Sequence, residues 1–339
     1  MPDRPELEIA LRAVRAASRA CRAVQQRMVR PETLQKRDKS PVTVADFASQ
    51  AIVCALLEEA LPRDPIVGEE SAKALRDDAQ SALRRSVVER VRDEITGSPD
   101  DDTVLAWIDR GAAEARGPRY WTLDPIDGTK GFLRGEQYAV ALALIEGGDV
   151  VLGVLGCPSL PEGDGFGALF YSERGGPSRA CSLWDEVHTA RRISVGDIQV
   201  AAQARFCESV ESEHSDQSES ARVAELLGIR SQPYRIDSQC KYAAVARNDA
   251  SIYLRLPTRA DYREKIWDHA AGKLIVESAG GVVTDVDGRA LDFTRGRTLE
   301  ANRGVVATSG AIHAEVLEAV RVARAERSDP QRAERSDPR

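Results

Sequence analysis

The stretch DPIDGT at residues 124–129 carries the strongest signal in this 339-residue chain. It follows the β-forming run Tyr120 to Leu123, so its carboxylates, Asp124 and Asp127, lie at the end of a predicted strand. Hard cations such as Mg²⁺ prefer oxygen ligands in this arrangement, and a turn carbonyl can add a third. A surface turn closed by aspartate side chains would give the same pattern, so the stretch alone leaves both interpretations open.

Helical and β patterns alternate on both sides of this stretch. Apolar residues at heptad spacing predict a helix over 5–29, and a polar segment at 32–41 predicts a loop before a second helix at 45–61. The charge-rich residues 72–118 are predicted to form an insertion over one edge of the fold. The other elements predicted for this half are strands and a hairpin, at 66–67, 138–157 and 168–172.

A shift in composition near residue 190 predicts that the chain has two halves, 1–190 and 191–324. The strands predicted for the second half lie at 200–206, 252–256, 282–285, 289–291 and 304–307, and its helices at 222–227, 267–279 and 311–324. Residues 325–339 repeat the motif AERSDP, and this polar low complexity predicts a disordered tail. Because hairpins interrupt the alternation of strands and helices, we predict a layered α/β sandwich rather than a doubly wound sheet.

The composition argues against several classes of protein. The chain has 47 Lys and Arg residues against 54 Asp and Glu, which gives a net charge of −7. Such a charge argues against binding to nucleic acid, although a local basic pocket could bind a small phosphorylated ligand. The longest strongly apolar run, Ala139 to Ile145, is far shorter than the roughly twenty residues of a membrane-spanning helix. Charged residues throughout 3–22 argue against a signal peptide. Six cysteines without CxxC or zinc spacing are typical of reduced thiols in a cytoplasmic protein.

Further acidic residues follow strands or begin helices. Glu69 and Glu70 follow a short strand, Asp46 lies at the start of the second helix, and Asp268 opens a late helix. Taken singly, they are explained as solvated acids or as helix-capping and dipole-complementing groups, and His269 as a satisfied imidazole. The chain contains no GxSxG, Walker A, GxGxxG or HExxH motif and has four histidines. This carboxylate inventory suits Mg²⁺-assisted phosphoryl chemistry.

Taken together and in this order, the acidic segments resemble the lithium-sensitive, Mg²⁺-dependent phosphomonoesterase superfamily that includes inositol monophosphatase. The segments are EE at 69–70, DPIDGT at 124–129, and WDHAAG at 267–272 followed by ESAGG at 277–281. The resemblance covers roughly residues 5–320. It implies the αβαβα layered sandwich of α+β type shared with fructose-bisphosphatase-like proteins.

Longer stretches are similar to the 3′(2′),5′-bisphosphate nucleotidase branch of that superfamily. They are SPVTVAD at 40–46, DPIDGTKGFLRGEQYAV at 124–140, SQCKY at 238–242, YLRLP at 253–257 and YREKIWDHAAG at 262–272. Inositol monophosphatases typically continue with Thr-Asn-Phe after DGT, where this chain has KGF at 130–132. Fructose-bisphosphatase-like members usually have Ser in place of Thr129.

Carried over by position, the resemblance implies a metal site and a group of residues that activate water. Two or three Mg²⁺ ions would be held by Glu69, Asp124, Asp127, Asp268 and the carbonyl of Ile126. Asp46 and Thr129 would orient and deprotonate the nucleophilic water, with help from Glu69. Hydrolysis would then be direct and in line, with no phosphoenzyme.

The resemblance also implies that the second half binds a nucleotide. The residues at matching positions are Thr129, His214, Ser238, Lys241, Arg255 and Asp268. Among them Lys241 and Arg255 supply the charge and bidentate geometry that a phosphate requires. His214 is the weaker match, because it lies in a low-complexity segment. Without the family, Lys241 and Arg255 would be explained as solubility charges on edge strands.

The activity implied is removal of the 3′-phosphate from 3′-phosphoadenosine 5′-phosphate, giving AMP and phosphate, and the sulfated nucleotide could be a second substrate. An inositol mono- or polyphosphate phosphatase with the same metal site is one alternative. A non-catalytic nucleotide sensor on the same fold is another, although the intact acidic set argues against it. The predicted partner is a small nucleotide rather than nucleic acid or a membrane, and the sequence does not distinguish a monomer from a homodimer.

Overall fold

Two β-sheets and the helices packed on them form the fold. The computed structural model describes residues 4–28, 40–185, 190–210, 217–257, 259 and 261–328. Within these residues the helices are α1 (Pro5–Met28), α2 (Ser40–Ala60), α3 (Ser81–Arg92), α4 (Asp101–Asp109), α5 (Thr129–Arg134), α6 (Gln217–Leu226), α7 (Cys240–Ala246), α8 (Ala270–Ser278) and α9 (His313–Ser328). Among these helices, none combines the length and hydrophobicity that crossing a lipid bilayer requires.

The first sheet has seven strands in sequence order. They are β1 (Ile66–Gly68), β2 (Arg119–Asp127), β3 (Ala139–Glu146), β4 (Asp149–Glu162), β5 (Gly165–Glu173), β6 (Arg179–Ser182) and β7 (Arg191–Arg192). Strand β1 pairs parallel to β2, and every later pair is antiparallel. The predicted hairpin is therefore confirmed as β3 and β4.

The second sheet has five strands in the order β11-β12-β10-β8-β9. They are β8 (Phe206–Glu208), β9 (Tyr234–Arg235), β10 (Ile252–Arg255), β11 (Val282–Thr284) and β12 (Val305–Thr308). Strand β8 lies parallel to β9 and β10, while β12 is antiparallel to both of its neighbours. The first sheet ends with β7 and the second begins with β8, so the change of sheet along the chain comes after residue 192.

The elements stack in five layers, which confirms the αβαβα prediction. Helices α1 and α2 cover one face of the first sheet, α7 and α8 lie between the two sheets, and α6 and α9 lie on the far side of the second. The alternation within β3 shows why both faces of the sheet are covered. Val140, Leu142 and Leu144 pack against the outer helices, whereas Ala141 and Ala143 face the middle layer, and all are buried.

Residues 72–118 were predicted to be an insertion over one edge of the fold, but they also contribute side chains to the core. Their end does cover the edge of the first sheet, since Gly68 N–H donates to the Gly111 carbonyl at 2.7 Å beside β1. Helices α3 and α4 pack on α2, however, and place Val88 and Leu105 in the same core as the outer helices. The polar residues that dominate this segment cover the solvent side of that layer.

Several predicted boundaries differ from the structure. Helix α2 begins at Ser40, inside the predicted loop 32–41, of which residues 32–39 lie outside the described part of the chain. The predicted strand 200–206 is a short 3₁₀ helix, Ala201–Gln203, and a strand begins only at Phe206.

Two further differences lie in the second half. Residues 289–291 do not form the predicted strand but follow a turn at 286–288, across which Asp285 Oδ1 accepts from the Arg289 amide at 2.8 Å. Helix α9 runs to Ser328, past the boundary predicted for the tail at 325, and the rest of that tail lies outside the described residues.

Candidate active site

A cavity of about 310 Å³ opens where the two halves of the chain meet. Its volume falls at the lower end of the range of small-molecule sites. Both halves supply its walls, which are lined by Glu69, Asp124, Ile126, Asp127, Gly128, Thr129, Lys130, Gly131, Ser209, Asp237, Ser238, Gln239, Lys241, Tyr253, Arg255 and Asp268. Nine of the predicted site residues are in this set.

An irregularity in β2 brings the two aspartates of DPIDGT to the same cavity. Residues three apart on a regular strand point to opposite faces. Here Asp124 pairs with Ala141 and Asp127 with Ala139, so three steps on β2 match two on β3. This extra residue is a β-bulge, and it restores Asp127 to the side of Asp124. Pro125 has no amide hydrogen to lose at the bulge.

Local hydrogen bonds hold this bulge in place. Asp124 Oδ1 accepts from the Ile126 amide at 3.1 Å, and Ser49 Oγ of α2 donates to the Pro125 carbonyl at 2.9 Å. Gly128 then turns the chain into α5 with φ +91°, a conformation that favours glycine. Thr129 is thereby placed as the first residue of α5 at the rim of the cavity.

Four carboxylates surround the floor of the cavity and disfavour one another's charged form. Burial and the neighbouring carboxylates Glu69 and Asp127 raise the pKa of Asp124 well above its usual range. Burial also raises the pKa of Asp268 well above its usual range, although Arg255 opposes the shift. The pKa of Glu69 rises to about 7 through burial and the charges of Glu70 and Asp127.

This donor set fits a metal ion. Every ligand atom that Glu69, Asp124, Asp127 and Asp268 offer is a carboxylate oxygen, which hard divalent cations prefer. A cation among them would offset the mutual repulsion that raises their pKa values. The nearby trio Glu264, Asp268 and His269 also brings its ligand atoms within 4.8 Å of one another.

That trio is already occupied by internal partners. Glu264 Oε2 accepts from Arg255 Nε at 3.0 Å and lies 3.2 Å from His269 Nε2. The other ring nitrogen of His269 lies 2.7 Å from the hydroxyl of Tyr242. Glu264 and His269 therefore support the site from behind, and His269 is the satisfied imidazole that the sequence indicated.

The second half of the chain contributes two cations to the cavity wall, Lys241 and Arg255. Lys241 Nζ donates to Ser209 Oγ at 3.1 Å and lies 5.3 Å from the centre of the Tyr253 ring. Burial lowers the pKa of Lys241, while the charge of Asp127 opposes that shift. Arg255 Nη2 lies 4.0 Å from Asp268 Oδ2, so one of these cations reaches the carboxylates directly. Both cations line the cavity, and the edge-strand explanation does not apply to Lys241, which is buried in α7.

The segment that leads into α7 is pressed tightly against the aspartates. Ser238 adopts the left-handed φ of +66°, which is uncommon for a residue other than glycine. A Cβ on Gly128 would lie 2.7 Å from the Ser238 Cβ, so only glycine fits at that position. Cys240 N–H donates to Ser238 Oγ at 3.2 Å.

Two predicted site residues lie elsewhere. Asp46 on α2 does not line the cavity, but it is close enough to Glu69 and Glu70 that their charges, after burial, raise its pKa well above the usual range. No hydrogen bond joins Asp46 to Thr129 within the described residues. His214 lies outside the described part of the chain.

Several residues in the cavity wall or in contact with it were not predicted from the sequence. Asp237 accepts from the Val210 amide at 3.1 Å and from Arg134 of α5, and so connects three segments. Gln239 and Glu264 stood inside recognised stretches, but only tertiary contacts reveal what they do. The one signal available beforehand was their position beside Ser238 and Asp268.

Comparisons with known proteins agree with this geometry. A model of the inositol monophosphatase family matches residues 4–325. The chain is 47% identical over 319 residues to a 3′(2′),5′-bisphosphate nucleotidase of Emericella nidulans, covering 85% of this chain and 90% of that protein. It is 43% identical over 334 residues to the 3′(2′),5′-bisphosphate nucleotidase of Schizosaccharomyces pombe, covering 93% and 94%.

Solved structures show the same fold. An IMPase from Thermotoga maritima matches with a TM-score of 0.63 at 20% identity, covering 95% of this chain and 99% of that chain. An inositol monophosphatase from Zymomonas mobilis matches with a TM-score of 0.62 at 21% identity, covering 94% and 99%. At such identities the likeness concerns the fold alone.

Proposed function

The chain belongs to the inositol monophosphatase family, and from that premise we propose that it is a 3′(2′),5′-bisphosphate nucleotidase. The reaction is hydrolysis of the 3′-phosphate of 3′-phosphoadenosine 5′-phosphate to AMP and phosphate. The sulfated analogue of this nucleotide is a second candidate substrate. Relatives that are 43–47% identical over most of the chain and carry this name support the assignment.

One structural observation carries the proposal. The four clustered carboxylates and three cations, Lys130, Lys241 and Arg255, line one cavity, with Arg255 only 4.0 Å from Asp268. A substrate with two phosphates needs both features, because one phosphate must be hydrolysed at the acidic floor while the other is held by positive charge. A substrate with a single phosphate has no need of the second.

Metal dependence is general in this family. We propose Mg²⁺, as two or three ions held by Glu69, Asp124, Asp127, Asp268 and the Ile126 carbonyl. When bound, Mg²⁺ would polarise the phosphate and make a water molecule more acidic. The protein supplies an all-oxygen donor set, and the Ser49 and Ile126 hydrogen bonds keep the bulge that presents it.

Asp46, Thr129 and Glu69 would prepare the attacking water. Glu69 lines the cavity beside Asp124 and Asp127, so its carboxylate would accept a hydrogen bond from that water. Asp46 is half-buried and lies close enough to Glu70 and Glu69 that their charges contribute to its raised pKa. Thr129 at the first position of α5 offers a hydroxyl at the rim. Attack would be direct and in line with the leaving oxygen, without a phosphoenzyme.

The second half would recognise the nucleotide. Lys241 and Arg255 would bind the 5′-phosphate, and Ser238 offers a hydroxyl next to them. Thr129 and Asp268, at the junction of the two walls, would contact the phosphate that is removed. We keep His214 as a candidate contact to the sugar or base on the strength of its position in the sequence.

The remaining expectations belong to the same proposal. All six cysteines are free and buried, which suits a reducing compartment such as the cytoplasm. Inhibition by lithium and a role in clearing a product of sulfate transfer follow from the family resemblance. The metal site would belong to residues 1–190 except for Asp268, and the nucleotide pocket to residues 191–324.

The decisive experiment compares phosphate release from 3′-phosphoadenosine 5′-phosphate and inositol 1-phosphate, with purified protein and Mg²⁺. We expect a preference of at least about a hundredfold in kcat/KM for the nucleotide, equal to about 2.7 kcal/mol. Comparable rates, or a preference for inositol phosphate, would replace the proposal by the inositol phosphatase alternative. Binding of the nucleotide without any turnover would instead support the sensor.

A further inference from the structure

Gln239 joins the two segments that carry the ligand candidates Asp127 and Asp268. Its backbone amide donates to Asp127 Oδ2 at 2.5 Å. Its side chain donates from Nε2 to the Trp267 carbonyl at 2.9 Å and accepts from the Gly272 amide at 3.2 Å. The two side-chain hydrogen bonds thus hold the backbone on either side of Asp268 in the sequence, while the backbone hydrogen bond holds the Asp127 carboxylate itself.

The three hydrogen bonds of Gln239 lie in closely packed surroundings. Gln239 is 2% exposed, so its amide has no water to replace a lost partner. A Cβ on Gly272 would lie 2.2 Å from the Tyr242 ring, which shows how closely α7 and α8 approach each other. On the other side, Ser238 is in contact with Gly128, the residue after Asp127.

We propose that Gln239 is a positioning residue that sets the separation of Asp127 and Asp268 for the metal ions they share. The inference rests on the metal site of the proposed function. Asp127 belongs to the first sheet, whereas Asp268 precedes α8 in the second half, so no single element holds both. Mg²⁺ requires near-ideal octahedral geometry, and small errors in ligand spacing therefore reduce its binding. Partners behind the ligands typically contribute about 10–100-fold to metal affinity.

Gln239→Met tests the proposal, because methionine fills a similar volume without forming either side-chain hydrogen bond. Gln25→Met is the matched control. Gln25 is likewise buried and donates from Nε2 to a backbone carbonyl, that of Phe132, at 3.0 Å. Phe132 is not a ligand candidate, so the control loses a comparable bond away from the metal site.

We expect Gln239→Met to raise the dissociation constant for Mn²⁺, measured by calorimetry without substrate, about tenfold or more. The Mg²⁺ concentration that gives half-maximal turnover should rise by a similar factor, while KM for the nucleotide at saturating Mg²⁺ changes less than about twofold. Gln25→Met should leave all three quantities within about twofold of the wild type.

The proposal is wrong if Gln239→Met binds Mn²⁺ as tightly as Gln25→Met does, or if it changes KM for the nucleotide and not metal affinity. Should Gln239→Met not fold, Gln239→Asn decides, because the shorter amide can keep one partner but not both, and the same loss of metal affinity is expected. Wild-type protein and Asp127→Asn test the metal site itself. If the wild type binds no Mn²⁺, or Asp127→Asn binds it undiminished, the proposed metal site fails, whatever Gln239 does.

Discussion

Arg255 Nε lies 3.0 Å from Glu264 Oε2, and its Nη2 lies 4.0 Å from Asp268 Oδ2. The guanidinium group thus has one side on a buried structural carboxylate and the other facing the acidic floor of the cavity. Glu264 also accepts from His269 Nε2 at 3.2 Å, so it is held from two directions. This arrangement holds the guanidinium group in place beside the cavity, so that a phosphate bound as proposed would meet a preorganised partner at a lower entropic cost.

Arg255→Ala should raise KM for the bisphosphate nucleotide about tenfold or more, because a charge-assisted hydrogen bond to phosphate contributes about 1.5–3 kcal/mol. Weak activity on small phosphomonoesters should change little. Steady-state kinetics on both substrates check this. Arg259→Ala removes an exposed arginine paired with Asp261 and should leave both activities unaltered. An equal loss of both activities in Arg255→Ala would mean that Arg255 is structural.

Asp46→Ala and Thr129→Ala should each reduce kcat about a hundredfold or more, while Mg²⁺ and nucleotide affinities change only a few-fold. The reason is that, in the proposed mechanism, both residues act mainly on the attacking water, and neither is a metal ligand. Turnover and calorimetric binding, measured on the same preparations, show whether kcat falls while the affinities are kept. Asp101→Asn is the control, because Asp101 is an exposed acid in the first turn of α4 that pairs with Arg84 and does not line the cavity. Parallel losses in binding would contradict the assignment.

The metal-free protein should become more stable as pH falls from 8 to 5. The pKa of Glu69 is raised to about 7 in the folded state against an unfolded value near 4.5. A carboxyl with a raised pKa binds its proton more readily when folded, so stability is lost as pH rises from about 4.5 to about 7. After allowance for its contact with solvent, Glu69 should contribute about 1 kcal/mol.

Denaturant unfolding with a chelator, at several pH values, checks the metal-free prediction. Glu69→Gln should flatten the profile by that amount, and saturating Mg²⁺ should remove the dependence in the wild type. Binding of Mg²⁺ near pH 6.5 should release protons, which calorimetry in buffers of different ionisation enthalpy detects. A metal-free protein whose stability rises with pH over this range would refute the cause given for the Glu69 pKa.

Glu264 should stabilise the protein in the opposite pH range. Arg255 and His269 outweigh burial and lower the pKa of Glu264 to about 2. The stabilisation is therefore complete above the unfolded pKa of about 4.5 and is lost as pH falls towards about 2. Glu264→Gln should cost roughly 2–3 kcal/mol at pH 6, and its difference from the wild type should shrink between pH 4.5 and 2.5. A difference that does not depend on pH would show that the charge of Glu264 is unimportant.

Gly272→Ala should destabilise the protein by about 1–3 kcal/mol, because the added methyl group would overlap the Tyr242 ring in the tightly packed middle layer. Chemical denaturation checks the loss. Gly165→Ala is the matched control, since a Cβ there meets no atom within 4 Å and Gly165 does not have a positive φ. Equal stability of Gly272→Ala and the wild type would imply that α7 and α8 can separate at little cost.

The layers of the fold were predictable because their signals are local. Heptad-spaced apolar residues in α1 and the hairpin of β3 and β4 follow from side-chain periodicity alone. Helix α7 was not predicted as a helix. At seven residues, all buried, it has no amphipathic pattern to reveal it, and its burial between two sheets is a tertiary property.

The acidic residues of the site were also identifiable, since Glu69, Asp124, Asp127 and Asp268 each stand in a motif that begins or ends an element. The sequence could not show that Asp124 and Asp127 point the same way. Their spacing of three would separate them on a regular strand, and the bulge that reunites them depends on pairing with β3.

The sequence by itself therefore determined the layered architecture, the family and the chemical types of the groups at the site, because apolar periodicity and ordered motifs are written along the chain. Only the tertiary structure decided how those groups are held. Distant segments must pack together before Glu264 can contact Arg255. The same is true of the hydrogen bonds by which Gln239 connects the segments of Asp127 and Asp268. Hydrogen bonds between buried groups depend on distance and angle in space, and residue spacing along the chain does not encode either.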